Sequence, residues 1–212
     1  MTNPSIEELH DPDKFEKIAE LGHPQIKDFV LDQLAKGGTL VTSYMVYQVL
    51  MMLVGIWFIV RAAILAFDNF SSPLVMTGLS LVFSFTLLIP IHELLHGLAL
   101  KITGARNVHY GGYLRKFIFY AEADRHVMNK SQFTFVALTP LITVKLVTFC
   151  GIILFWSSPL FFFFVTLMAA HSFFCAGDIG LLSLFMRDDN VYTYDIRKEK
   201  RSFHFKKLKK KA

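Results

Sequence analysis

The chain has 212 residues, 53% of them hydrophobic and 22 of them phenylalanine, with a formal net charge of +5. That is too apolar and too aromatic for an ordinary soluble domain. The two cysteines, Cys150 and Cys175, both fall inside apolar stretches, which excludes a disulfide-built fold.

Residues 1–39 hold eight acidic and four basic residues. They open without a basic start followed by a short apolar run and a small-residue cleavage site, so no cleaved leader is expected. Within them "IKDFVLDQL" places Ile26, Phe29, Val30 and Leu34 at helical spacing opposite Lys27, Asp28 and Asp32. That pattern predicts an amphipathic helix at a membrane surface.

Four apolar runs follow, from about Leu40 to Val60, Leu74 to Leu100, Phe135 to Trp156 and Leu160 to Phe185. Each is near the roughly 20 residues that a helix needs to cross a bilayer. The links at 67–72 and 157–159 are too short for a domain, so the runs pair as hairpins. The expected fold is an all-α membrane protein, four transmembrane helices in two hairpins over residues 40–185. Residues 1–39 and 186–212 flank it. Lys and Arg number four in residues 1–39, six in 101–132 and ten in 186–212, with none in the two short links. This places both termini and the middle loop in the cytoplasm. The basic tail, ending "KKLKKKA", is expected to meet anionic lipid rather than nucleic acid.

The second run carries "PIHELLHG". His92 and His96 lie four apart, so a helix projects both imidazoles from one face, where they can share a metal ion. Glu93, about 100° around, can address a water on that metal. Zinc suits two neutral imidazoles and keeps a position open for water, whose proton Glu93 would take. The competing reading is two histidines paired with polar groups inside a helix bundle. A third ligand should lie at matching depth in another span. Asp178 precedes Arg187 by nine residues and His92 precedes Lys101 by nine, which makes Asp178 the candidate. Paired instead with Lys145, it would be a structural acid.

His171 lies seven residues further along the same face from Asp178. In a straight helix that is roughly 10 Å too deep to share the metal, so it is expected behind the ligands or lining the site. A kink at Gly177 or Gly180 would reverse that ranking, and the same glycines would allow a neighbouring helix to approach. Cys175 reads as a supporting residue, a small buried thiol or a further ligand. Lys145 either snorkels to the cytoplasmic headgroups or faces the site. Pro140 is expected to interrupt the third span near the same level.

The middle loop, 105–134, has "HYGGY" as a turn and "RKFIFYAEA" as strand-forming. It reads equally as a short β-hairpin that clamps an extended peptide by strand addition and as an aromatic loop on the membrane surface. His109 and His126 are its lesser ligand candidates.

"HELLHG" in a span, a Thr-Pro leading the third span and "AGDIG" late in the fourth together resemble the bacterial family of zincin-type membrane peptidases classed as a domain of unknown function. More distantly the plan is similar to the site-2 intramembrane zinc proteases, although Asp178 stands here in Gly177-Asp178-Ile179 rather than a Leu-Asp-Gly context. The resemblance implies zinc ligation by His92, His96 and Asp178, catalysis by Glu93, a peptide or membrane-protein substrate, and residence in a bacterial cytoplasmic membrane; the depth of the motif below the basic loops places cleavage near the cytoplasmic face. The alternative is a noncatalytic metal-binding scaffold, sensor or transporter. For transport, the outer halves of the spans offer few polar residues beyond Thr42, Ser43, Gln48 and His171, and the first two lie near the cytoplasmic end.

Overall fold

A computed structural model of the chain describes residues 3–113 and 118–208. In chain order the helices are α1 (Ile6–Leu9), α2 (Ile26–Ala35), α3 (Thr39–Phe67), α4 (Ser72–Thr86), α5 (Leu88–Ile102), α6 (Lys130–Leu154), α7 (Leu160–Phe174) and α8 (Ala176–Met186). The strands are β1 (Phe15–Gly22), β2 (Val108–Tyr113), β3 (Ile118–Ala123), β4 (Met128–Asn129), β5 (Val191–Ile196) and β6 (Arg201–Lys207).

Two helices, α3 and α6, are each long and apolar enough to cross a membrane. The pairs α4–α5 and α7–α8 pass the same test only when each pair is taken together, because each bends at a single-residue break, Leu87 and Cys175. The chain therefore carries two to four candidate spans. Exposed side chains along α3 include Val46, Val49, Leu53, Trp57 and Val60, and along α6 Ile142, Leu146, Phe149 and Ile153. These faces suit a hydrocarbon solvent rather than water. Pro140 does not interrupt the third span as expected; α6 runs through it.

The chain forms two compact units. One comprises Val41–His92 and Thr139–Ala176. Its apolar centre is Ala62, Phe161, Phe162 and Val165, with Phe58 edge-on to both phenylalanines. The buried face of α4 is small and polar, with Thr77, Ser80 and Ser84. Thr77 and Ser84 donate back to the carbonyls of Pro73 and Ser80, which satisfies hydroxyls that have no water to meet. Across the bundle, Tyr44 and Gln48 of α3 both donate to the Ser172 carbonyl near the end of α7.

The other unit gathers the N-terminal segment up to Leu40, Glu93–Leu138, and the chain from Gly177 onward. Here the all-α expectation needs an addition. An antiparallel sheet of order β1-β6-β5-β4 joins the N-terminal segment, the tail and the end of the middle loop. The strands β5, "VYTYDI", and β6, "RSFHFKK", are rich in aromatic and β-branched residues, which suit a pleated surface. Leu9, Phe15, Tyr194, Phe203 and Phe205 make one cluster against this sheet. Ala137, Leu182, Phe185 and Val191 make another, with Phe133 stacked on Phe185 at 4.1 Å between ring centres.

The predicted amphipathic helix is α2. It packs against α8 through Val30, whose Cγ1 would lie 2.7 Å from a Cβ placed on Gly180. The middle loop does form a hairpin, β2 paired with β3. "HYGGY" is strand rather than turn, because Tyr110, Gly111 and Gly112 pair with Ala121, Tyr120 and Phe119. Of the predicted strand "RKFIFYAEA", residues 115–117 lie outside those described, as do Lys209, Lys210 and Lys211 of the lysine tail.

Candidate metal centre

The bend at Leu87 starts α5 afresh, so that "LIPIHELLHG" heads a helix. His92 and His96 stand one turn apart on that helix, both buried at 5% and 9% exposure. Glu93 follows His92 and shares its face with Gly97, four residues on. Gly97 makes room for a neighbour: a Cβ there would overlap the hydroxyl of Tyr110. The β2 phenol therefore sits on the helix that carries the motif, beside the residue that follows His96.

His96 is held from both ring nitrogens. Its Nδ1 donates to the Val136 carbonyl at 3.0 Å, since a carbonyl can only accept. That leaves Nε2 directed at Asp178, whose Oδ1 lies 3.2 Å away. The readiness of Val136 to accept follows from the sequence of α6. In a regular helix the N–H of residue 140 would bond that carbonyl, but residue 140 is proline and has none. A carbonyl orphaned in an apolar helix is costly, and the His96 imidazole satisfies it. Asp178 sits in the first turn of α8, started by the break at Cys175. Asp178 and His96 thus offer an oxygen and a nitrogen at a spacing that a tetrahedral metal accommodates.

The supporting residues fall differently from their sequence depths. His171, expected behind the ligands or lining the site, has its Nε2 3.1 Å from the Nδ1 of His92, and both rings are buried. The helix does break between His171 and Asp178, but α7 ends at Phe174 and the chain restarts as α8 after Cys175, before either glycine named as a hinge. Cys175 is fully buried with its Sγ 3.8 and 3.9 Å from the two His171 ring nitrogens. His92, His171 and Cys175 bring ligand atoms within 4.8 Å of one another.

Lys145, expected either to snorkel or to face the site, is partly buried. Its Nζ donates to the Met168 carbonyl and lies over the Tyr47 ring, 5.3 Å from the centroid. Of the glycines beside Asp178, Gly180 meets α2 rather than another span, and a Cβ on Gly177 would meet nothing within 4 Å among the described residues. His126 lies 3.2 Å from Thr103 Oγ1, and His109 is on β2 opposite Glu122. Neither belongs to a group of three ligand-bearing side chains among the described residues.

Sequence reasoning missed Val136, which acts through its backbone and leaves no side-chain signature. It also missed Tyr110, read as part of a turn. Gly97 directly after the second histidine was the signal that could have found Tyr110, and Pro140 the signal for Val136.

A model of the family described as "Putative zincin peptidase" matches residues 85–191, half of the chain, taking in α5 through α8. No curated protein and no solved structure matches.

Proposed function

We propose that this chain, which belongs to that zincin peptidase family, is a zinc metallopeptidase that cuts membrane-associated polypeptides close to the cytoplasmic face. The observation that carries the reading is the His96 to Asp178 approach of 3.2 Å, on a helix whose other histidine, His92, faces the same way one turn earlier. Two imidazoles and a carboxylate form a donor set suited to zinc with a position left open.

When bound there, zinc would act as a Lewis acid that lets a water lose its proton near neutral pH. The remaining chemistry belongs to the chain. His92 and His96 hold neutral imidazoles, His96 in the tautomer set by the Val136 carbonyl. The Glu93 carboxylate takes the proton from the attacking water and passes it to the amine nitrogen of the departing peptide fragment. The β2–β3 hairpin offers an extended edge that can align a peptide by backbone hydrogen bonds.

The cytoplasmic orientation draws support from the sheet. The N-terminal segment, the middle loop and the tail contribute β1, β4, and β5 with β6, and hydrogen-bonded neighbours lie on one side of a membrane. These are the same three segments that hold the excess of Lys and Arg. A site whose His96 and Asp178 fall in this unit would release product on that side.

The test uses full-length protein in detergent or bilayers, incubated with an unstructured polypeptide and with a transmembrane peptide, with products read by mass spectrometry and zinc counted per chain. Glu93→Gln should keep zinc and lose about 100-fold or more in turnover. Zinc-loaded Glu93→Gln protein that cleaves at the wild-type rate would overturn the role given to Glu93.

A further inference from the structure

We infer that His92, His171 and Cys175 form a second metal-ligand set, a thiolate-containing one for a soft cation such as Zn2+ or Cu+. The inference rests on the proposed zinc site only in sharing His92 with it.

All three side chains are buried, His171 and Cys175 completely. The backbone explains why two of them meet: His171 and Cys175 are four apart at the end of α7, so they share a face, and Cys175 caps the helix at the break. The spacings are those of ligands around one ion. Metal–nitrogen bonds of about 2.0–2.1 Å and metal–sulfur bonds of about 2.3 Å give tetrahedral edges of roughly 3.4 Å between nitrogens and roughly 3.6 Å between nitrogen and sulfur. The corresponding separations are 3.1 Å between His92 Nδ1 and His171 Nε2, and 3.9 Å between that nitrogen and Cys175 Sγ. Two imidazoles and a thiolate make a softer donor set than two imidazoles and a carboxylate, and so favour a different range of metals. Binding would release the Cys175 proton to solvent as the thiolate forms. Placing three such groups in apolar surroundings is costly, and coordination offsets that cost.

His92 meets this set through Nδ1, which leaves Nε2 for the set with His96 and Asp178. A neutral imidazole has one lone pair. His92 therefore serves one set at a time, and a cation held by His171 and Cys175 is withheld from the peptidase site.

Cobalt reports the difference, because a thiolate ligand adds an intense near-ultraviolet charge-transfer band that nitrogen and oxygen ligands lack. Full-length apoprotein in detergent would be titrated with Co2+ as wild type, His96→Ala, Cys175→Ser and the double variant. The expected result is that His96→Ala still binds about one cobalt per chain with the thiolate band. Cys175→Ser should lose the band yet keep cobalt through His96 and Asp178, which also shows that it is folded, and the double variant should bind none. Cobalt bound by His96→Ala without a thiolate band, or no cobalt in His96→Ala, would overturn the second set and leave the His92–His171 contact as a hydrogen bond that orients His92. Failure of the peptidase reading looks different: protein that holds metal through His96 but shows no hydrolysis dependent on Glu93.

Discussion

Pro140 shows how a single residue acts through the backbone donor that it lacks. By lacking an N–H it frees the Val136 carbonyl, and His96 Nδ1 bonds that oxygen instead, at 3.0 Å. Such partners fix ring orientation in metal sites, and their loss typically costs about 10–100-fold in metal affinity. Replacement by alanine restores a helix donor that competes for the same carbonyl. Pro140→Ala should therefore raise thermal stability, since proline within a helix costs up to about 3 kcal/mol, while zinc binding weakens by about 10-fold. A thermal midpoint and a competitive chelator titration read the two effects, and a purely structural proline would move both in one direction. The candidate side chains His92, Glu93, His96 and Asp178 stand out in sequence because HExxH spacing and an acid within a span are rare. Val136 and Tyr110 were not, because one contributes a carbonyl and the other depends on which strand residue lands over Gly97.

At the scale of elements, α2 is a surface helix by pattern and a packing partner of α8 in the fold. Val30 is buried where Gly180 leaves room, two residues beyond Asp178. Gly180→Ala would drive a methyl to 2.7 Å from Val30 Cγ1 and within 3.4 Å of the Val30 carbonyl. Overpacking of this kind costs about 1–3 kcal/mol. Hydrogen exchange over Ile26–Ala35 should quicken in Gly180→Ala, and the Gly180→Ala/Val30→Ala double variant should lose about 0.5 kcal/mol or more less than the two single losses combined. Strictly additive losses would show that the two residues do not press on one another. The helix itself was readable from its period of 3.6, whereas its docking face was not, since Phe29, Val30 and Gln33 answer to particular neighbours. Phe29, for example, lies parallel to the His204 ring at 6.4 Å between centres.

For the whole molecule the sheet carries a pH dependence with two opposed parts. His204 on β6 is buried, and neither ring nitrogen has a hydrogen-bond partner among the described residues. Burial pushes its imidazole down to about 4 from an ordinary 6.5. Between those values the unfolded chain holds the extra proton, so this contribution to stability grows as pH rises. Asp195 on β5 runs the other way: burial pushes its carboxyl up to about 6 from 3.8, so the folded chain holds the extra proton and its contribution shrinks as pH rises. From about pH 4 to about pH 6, the window both shifts share, these two contributions should nearly cancel in the wild type. Asp195→Asn should make stability climb with pH across that window and His204→Phe should make it fall, read as thermal midpoints in detergent. His204→Phe should also stabilise the fold near neutral pH by about 1–2 kcal/mol, since it removes two buried polar atoms without partners. Midpoints that show the same pH course in all three proteins would refute this assignment.

The sequence by itself determined the membrane class, the helical runs and the motif on α5, because hydropathy and the spacing of His92, Glu93 and His96 are local quantities. It did not determine where the second and fourth runs break, since Leu87 and Cys175 carry no breaker signature. Nor did it reveal that residues 15–22, 191–196 and 201–207 are strands of one sheet. Pairing across nearly the whole chain is settled by which edges meet, and short strands flanking apolar helices carry too little periodicity to announce it. The approach of His171 to His92 and the hold of Val136 on His96 belong to the same category: both depend on helix breaks and lost backbone bonds that only tertiary packing resolves.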